Sequence, residues 1–431
     1  MRLRIQLSIL LTALLFMVQG CGDSSSGPGE TETTEIKGTL TAPDGNTPLA
    51  GATVFVPKEG SNKIMAKAKG IGGATTSAGE CEEPEESYSA FTCTEADGSF
   101  TFDVPVSSDE VLLKIFKGIF SFEQSVDVSS AGGDIGEINM PSASESFEGE
   151  IAVVKGSWDR MEDILAKVGF GEVETDESDY NYGQLVEGTE QFDLLDDPNP
   201  LFEDADGDGE KDLFNYDIVF INCGTNESLV SYDKSKEAHR HAARLKSSGV
   251  AQILSAENRQ ALQTFVQDGG VLYATDLSYD YIEQAFPSYV DFYGSDETPA
   301  AERESWGAAE VGTYGIETNG TILESDLEAW LANVDCFEGE NCLNDDDTVH
   351  ITDFLGGWGV IEGPQSGATA DVTQWVEGSV EWSGGSGVRP LTVSFDVGNG
   401  SVFYSSYHTV ESEFTPNWRP QERLLQYLVF E

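Results

Sequence analysis

The spacing of apolar residues changes near residue 149 of this chain. Before that point, short segments alternate apolar and polar residues between Gly, Pro and Asp, a pattern typical of antiparallel β-strands. After it, continuous apolar segments such as 150–155 and 216–223 alternate with segments of helical spacing, which indicates buried parallel strands and helices. The sequence therefore predicts a multidomain protein, with a small all-β sandwich over 35–141 and a doubly wound α/β domain over 149–431.

The β part contains five predicted strands and two tight turns. Asp44-Gly45 and Asp97-Gly98 supply the positive φ that such turns need. The predicted strands are 36–41, 48–56, 99–104, 111–116 and 120–128.

Three of these segments carry a family resemblance. Gly38-Thr39-Leu40, Pro48 to Val54 and Ala96 to Phe102 resemble the carboxypeptidase regulatory-like domain, a transthyretin-like sandwich of seven strands. The resemblance implies a spacer or binding module, because such domains are appended to many kinds of protein. By comparison with that family, residues 57–92 are an insertion, which we expect to form an exposed loop.

The α/β part repeats a unit of strand and helix. Ser255 can cap its middle helix, and Gly269-Gly270 can end it. The expected strands are 150–155, 216–223, 271–276 and 402–408, and the expected helices are 158–168, 254–266 and 420–428.

The segments 216–224, 269–276 and 400–408 resemble the class I glutamine amidotransferase-like fold, which is related to the flavodoxin-like arrangement. In active members, a nucleophilic cysteine sits in a tight turn after the strand that corresponds to 271–274, and a His-x-Glu pair follows a late strand. This chain has Thr275-Asp276-Leu277-Ser278 at the turn, without a cysteine or the glycines of a nucleophile elbow. His408 takes the place of the histidine, and Glu411 follows three residues later instead of two.

Cys223 is a second candidate nucleophile in the α/β part. Cys223 ends an earlier strand, at the side of an α/β sheet where ligands gather, and can approach His408. Cys223, His408 and Glu411 would form a catalytic set in which the imidazole takes the thiol proton and the carboxylate orients the ring. The alternative is a buried, inert thiol at Cys223.

The N-terminus has the pattern of a bacterial lipoprotein. Arg2 and Arg4 precede an apolar segment over 7–18, and Gly20 precedes Cys21, which predicts a signal peptide over 1–20 and lipidation of Cys21. Residues 21–34 are predicted to be a flexible tether. No later segment is long and apolar enough to span a membrane. We expect a cell-envelope protein held by its lipid, and Gly22 favours the outer membrane, with the inner membrane as the alternative.

The net charge of the chain limits the partners that it can bind. The chain has 77 acidic and 23 basic residues, a formal net charge of −54. Such a surface repels nucleic acid and anionic lipid, so contact with the membrane is expected through the anchor alone.

The close pairing of the cysteines is typical of an exported protein. Four of them form two close pairs that we expect to be disulfides, Cys81 with Cys93 and Cys336 with Cys342.

The acidic segment 203–215 has the spacing of a calcium-binding loop. Carboxylates alternate with other residues, and Gly209 stands at position six. Asn215 replaces the usual glutamate at position twelve, so the loop resembles a structural thrombospondin type 3 or dockerin loop. An acidic turn without an ion is the alternative. The expected ligands of a structural Ca²⁺ are Asp204, Asp206, Asp208, the Glu210 carbonyl, Asp212 and Asn215.

Residues 290–395 interrupt the α/β pattern and are expected to form an irregular cap or a β extension at the sheet edge. The region is rich in tryptophan, which suggests a carbohydrate or protein ligand if the rings are exposed, and a core if they are buried. The candidate rings are Trp306, Trp330, Trp358, Trp375 and Trp382.

Two functions follow from the sequence. The favoured one is a non-catalytic, calcium-stabilised binding or interaction lipoprotein of the cell envelope. The alternative is a thiol or other hydrolase of the amidotransferase-like fold, with Cys223, His408 and Glu411 as its catalytic residues.

Overall fold

The structure is a computed structural model, and part of the chain is described. Cys21, the signal peptide, nearly all of the tether, Trp306 and Glu411 lie outside the described residues. The described residues are 33–58, 81–84, 86–105, 109–128, 133–142, 150–224, 254–294, 309–337, 340–352, 354, 358–365, 371–409 and 415–431.

Seven strands form the N-terminal part, in two sheets of order β4-β1-β7 and β3-β2-β5-β6. Ile36, Leu40, Val54, Leu113 and Ile115 are buried among them, as the alternation of apolar residues requires. The strands are β1 Thr33–Thr41, β2 Thr53–Pro57, β3 Tyr88–Cys93, β4 Ser99–Pro105, β5 Glu110–Lys117, β6 Phe120–Asp127 and β7 Asp134–Asn139.

All five predicted strands are present, with shifted ends. β1 begins at Thr33, two residues before the predicted start of the sandwich. The exposed loop predicted over 57–92 is shorter than expected, because residues 88–93 form β3 and pair with β2. β7 was not predicted, and it pairs in parallel with β1. The division of the chain into domains stays a prediction.

The second part contains a sheet of nine strands. Its strand order is β16-β13-β18-β19-β20-β11-β10-β8-β9. The strands of this part are β8 Ile151–Val154, β9 Asp193–Leu195, β10 Ile218–Ile221, β11 Val271–Thr275, β12 Val290–Phe292, β13 Thr318–Ile322, β14 Asp335–Cys336, β15 Glu340–Asn341, β16 Thr348–Ile351, β17 Ile361–Pro364, β18 Val372–Trp382, β19 Gly385–Val397 and β20 Gly400–Ser405.

Few helices accompany these strands. Ser255 caps α2 by accepting a hydrogen bond from the Asn258 N–H, as expected. No helix among the described residues is long and apolar enough to cross a membrane. The helices are α1 Met161–Leu165, α2 Ala256–Gln267, α3 Asp280–Ala285, α4 Ser325–Leu331 and α5 Pro420–Val429, and a π-helical turn, Ala166–Phe170, continues α1.

Five strands of the large sheet, β9, β8, β10, β11 and β20, are parallel neighbours. Alternate residues on these strands enter two separate cores. Val153 and Phe220 share one core with α1 and α5, whereas Val154 and Ile221 share the other with α2. Because all five strands run the same way, their carboxyl ends lie along one edge. The described residues are nevertheless mostly β, so the α/β class is confirmed only in part.

Four strands of the region over 290–395, β13, β16, β18 and β19, extend this sheet. β18 and β19 form a long antiparallel hairpin, and β19 pairs with β20. The described tryptophans of this region are buried, so their rings are core residues and not an exposed ligand platform: Trp330, Trp358, Trp375 and Trp382.

The two predicted disulfides are confirmed. Cys81 is bonded to Cys93, and Cys336 is bonded to Cys342. Cys223 is outside any disulfide and is buried.

The sandwich and the large sheet are joined by an aromatic contact. Phe120 of β6 stacks on Phe170, with ring centroids 5.6 Å apart, and packs against Phe430 at 5.2 Å. Lys117 Nζ lies 2.6 Å from Glu431 Oε1 beside this contact. The C-terminal end of the chain is therefore held by the N-terminal sandwich.

Replacing Phe120 with alanine should destabilise both parts of the protein together. Phe120 is 1% exposed, and truncation of such a ring costs about 3 to 5 kcal/mol. Chemical denaturation would measure the loss. The matched control is Phe91→Ala, because Phe91 is 37% exposed and should cost less than about 1 kcal/mol. Equal losses in the two variants would contradict a shared core.

Candidate functional site

Polar residues follow four of the parallel strands at their carboxyl ends. Asp159 follows β8, Cys223 follows β10, Asp276 follows β11, and His408 follows β20. The four residues are 0 to 1% exposed. Because parallel strands end at the same edge, the fold gathers these side chains in one place.

Asp276 lies in a strained turn. Its φ is +44°, and it joins β11 to a short 3₁₀ turn, Asp276–Tyr279. A left-handed backbone costs a residue other than glycine about 1 to 2 kcal/mol, and such strain is common at functional positions. The sequence has neither a cysteine nor the glycines of a nucleophile elbow here, so the positive φ of Asp276 was not predicted. The turn forms without flanking glycines, because the Tyr404 hydroxyl donates to the Asp276 carbonyl at 2.7 Å.

The Asp276 side chain is paired with His408. Asp276 Oδ2 lies 2.5 Å from His408 Nε2. Burial raises the pKa of Asp276 to about 7, although His408 opposes this shift by attraction and hydrogen bonding. Asp276 therefore titrates near neutral pH beside His408.

Cys223 lies against the same pair. Its thiol interacts with the Asp276 carboxylate and lowers the pKa of that group, and its backbone N–H donates to Thr275 Oγ1 at 2.9 Å. Gly156 lets the β8 loop approach, because a Cβ on that residue would lie 2.1 Å from the Cys223 carbonyl oxygen. The thiol is therefore fixed between the ends of β8 and β11.

Asp159 completes the group. Its Oδ1 accepts hydrogen bonds from the Thr409 N–H at 2.7 Å and from Thr409 Oγ1 at 3.2 Å. Its Oδ2 is buried and accepts no hydrogen bond. One side-chain atom each of Asp159, Cys223 and His408 lies within 4.8 Å of the other two.

The structure brings together two members of the predicted catalytic set. Cys223 and His408 are close, and Glu411 lies outside the described residues. The carboxylate beside His408 is Asp276, which sequence reasoning passed over because it sought a cysteine at that turn. The signal that could have identified Asp276 is a polar residue directly after a buried strand. Asp159 shows this signal more weakly, because it does not follow β8 directly.

A second polar layer supports the group. Glu162 of α1 is buried, and its Oε2 accepts a hydrogen bond from Asn222 Nδ2 at 2.9 Å. Ser278 Oγ donates to the Asn222 carbonyl at 2.9 Å. Burial and the neighbouring Asp163 raise the pKa of Glu162 to about 7.

The predicted calcium loop lies on the surface, apart from this group. The carboxylates of Asp204, Asp206 and Asp208 are exposed and converge within 4.8 Å. Asp204 accepts hydrogen bonds from the N–H groups of Gly207 and Gly209 at 2.8 and 3.1 Å. Asp212 and Asn215 stand in one 3₁₀ turn, and Glu210 lies between that turn and the glycines. Calcium binding stays a prediction.

Comparison with known proteins gives little guidance. No protein-family model matches the chain, and no curated protein matches it. A solved ThuA-like protein from Parabacteroides merdae is 12% identical, with a TM-score of 0.31 over 64% of this chain and 86% of that one. A cytoplasmic protein from Salmonella typhimurium is 10% identical, with a TM-score of 0.27 over 74% of this chain and 95% of that one.

A β-galactosidase from Bacillus circulans is also 10% identical, with a TM-score of 0.27. The match covers 66% of this chain and 30% of that enzyme. Similarity at this level supports no inference of function, so function has to be argued from the site.

Calcium should raise the melting temperature of the protein. A site of this class binds with a Kd of about 0.1 to 1 mM, so ~10 mM calcium should add about 1 to 3 kcal/mol to the free energy of unfolding. Thermal unfolding with calcium or with a chelator measures the effect, which Asp206→Ala with Asp208→Ala should remove. The control with the same charge change is Asp345→Ala with Asp346→Ala, two exposed residues. Loss of the shift in the control would indicate general screening.

Glu162→Gln should stabilise the protein above pH 7 and have little effect below pH 4.5. The pKa of Glu162 is raised from 4.5 to about 7 on folding, so the stability it contributes is full below pH 4.5 and lost as pH rises through 7. We expect a gain of about 1 to 3 kcal/mol at pH 8. Denaturation at pH 4 and pH 8 measures it, with the exposed Glu95→Gln as control. A gain independent of pH would contradict the buried carboxylate.

Proposed function

We propose that this protein is a non-catalytic binding lipoprotein of the cell envelope. It is lipidated at Cys21, and the sandwich serves as a spacer between the membrane and the second part of the chain. The second part is a doubly wound, amidotransferase-like α/β domain that meets a protein or carbohydrate partner. A structural calcium ion at the 204–215 loop belongs to the same proposal.

The proposal rests on the burial of the two candidate nucleophiles, Cys223 and Asp276. Cys223 ends β10 and Asp276 occupies the strained turn after β11, the two positions from which this kind of sheet can present an attacking group. Both side chains are 0% exposed, and each is engaged by a neighbour, Asp276 by His408 and Cys223 by Asp276. A nucleophile must reach its substrate, so these contacts favour a structural role over catalysis.

Other features support the proposed architecture. The seven strands and their division into sheets of three and four fit a transthyretin-like sandwich. The parallel strands run in the order β9-β8-β10-β11-β20, the flavodoxin-like order 2-1-3-4-5 when counted along the chain. Helices α1 and α5 pack on one face and α2 on the other, which fits a doubly wound domain.

A thiol hydrolase is the second candidate, and one observation favours it. Cys223 and His408 have side-chain atoms within 4.8 Å of each other, and Asp276 lies 2.5 Å from His408, so the three could act as nucleophile, base and orienting carboxylate. In this candidate Asp276 takes the role that the sequence gave to Glu411.

The reactivity of Cys223 separates the two candidates. In the full chain with Cys21→Ala, Cys223 is the one cysteine outside the two disulfides. A non-catalytic protein should react with iodoacetamide at least roughly 100-fold more slowly when folded than when unfolded in urea. Cys223→Ser is the blank. A folded protein that reacts faster than the unfolded chain would refute the proposal and favour the hydrolase.

The anchor is tested in cells that produce the full chain. Labelling with a fatty-acid analogue should mark the wild-type protein and not Cys21→Ala, and Cys223→Ser should be labelled like the wild type. An unlabelled wild-type protein would contradict lipidation and leave the reactivity test unaffected.

A further inference from the structure

The group at the strand ends contains three kinds of metal-binding atom. Asp159 offers a carboxylate oxygen, Cys223 a sulfur and His408 a ring nitrogen, and all three lie within 4.8 Å of one another. In a tetrahedral zinc site with ligands at about 2.0 to 2.3 Å, ligand atoms lie roughly 3.3 to 3.8 Å apart. The side chains would therefore have to close by about 1.5 Å at most.

A second observation points into this space. Asp159 is 0% exposed, and its Oδ2 accepts no hydrogen bond. Thr409 occupies Oδ1 with two hydrogen bonds and so fixes the direction of the carboxylate. A buried carboxylate oxygen without a donor is strongly unfavourable, and a cation supplies the missing partner.

The charges of the three ligands balance with a divalent ion. An Asp159 carboxylate and a Cys223 thiolate carry two negative charges, and a neutral His408 adds none. One divalent cation cancels the charge of these three ligands, which lowers the cost of burying them. Sulfur and imidazole ligands favour zinc over calcium or magnesium, which prefer oxygen.

Asp276 has the position of a supporting carboxylate. A metal-bound histidine commonly gives its second ring nitrogen to a carboxylate, which fixes the ring and raises its basicity. Asp276 Oδ2 lies 2.5 Å from His408 Nε2. The strained turn at Asp276 would then serve to place this carboxylate.

We propose that Asp159, Cys223 and His408 bind a zinc ion and that Asp276 orients His408. Binding transfers the Cys223 thiol proton to solvent, because thiolate is the form that ligates zinc. The site is separate from the calcium loop and goes beyond the binding function proposed above. It gives Cys223, the one cysteine outside the disulfides among the described residues, a role in the folded protein.

Zinc binding is measured on the full chain carrying Cys21→Ala, after removal of metal with a chelator. Titration with zinc, and with cobalt as an optical probe, should show one equivalent bound. Cobalt should give a thiolate charge-transfer band in the near ultraviolet. Asp206→Ala with Asp208→Ala, in the calcium loop, should leave both results unchanged.

Variants of the group decide whether the metal is held there. Cys223→Ser should abolish the charge-transfer band, Asp159→Asn should weaken binding, and Asp276→Asn should weaken it by about 10 to 100-fold. If Cys223→Ser does not fold, X-ray absorption of the zinc-loaded parent should show one sulfur neighbour. No bound metal, no sulfur neighbour, or a band that persists without Cys223 would overturn the proposal.

Discussion

The buried contact between Asp276 and His408 is the constraint to which the surrounding structure is adapted. Removing two ionisable groups from water costs several kcal/mol for each, unless their partners are fixed at short range. The 2.5 Å separation of the pair requires the ends of β11 and β20 to stay in register. The hydroxyl of Tyr404 serves the same requirement, because it reaches from β20 to the strained turn on β11. Small errors in strand register would leave both groups buried without a partner.

Packing on both faces holds the strands of the large sheet in register. Its central strands are fully buried, and their alternate residues enter different cores. A displacement of one strand would therefore disturb both cores. The antiparallel hairpin of β18 and β19 extends the sheet beyond β20 and covers what would otherwise be an open edge at that strand. Because the middle of the sheet is rigid, the ends of its strands can hold buried polar residues in fixed positions.

The sequence predicted the elements better than the site. Strands with strict alternation, such as Ser99–Pro105, and a helix with an identifiable cap at Ser255 could be located, because local pattern determines them. β7 and β3 were missed as separate strands, since they are mostly not buried and their pairing depends on distant strands. Cys223 and His408 were recognised from their places after strands. Asp276 was overlooked as a site residue, because its role depends on a backbone conformation that a Tyr404 contact from the far end of the chain maintains.

The aromatic contact of Phe120 with Phe170 and Phe430 has a consequence for the order of folding. A chain that is synthesised from its N-terminus presents the sandwich long before residue 430 exists. Until then, the face that carries Phe120 lacks a partner that packs against it in the finished protein. The last ten or so residues, which form α5, also carry apolar side chains of the core shared by the sandwich and the sheet. Completion of the fold thus waits for residues 420–430, and a nascent protein lacking those residues would expose a hydrophobic surface to chaperones and proteases.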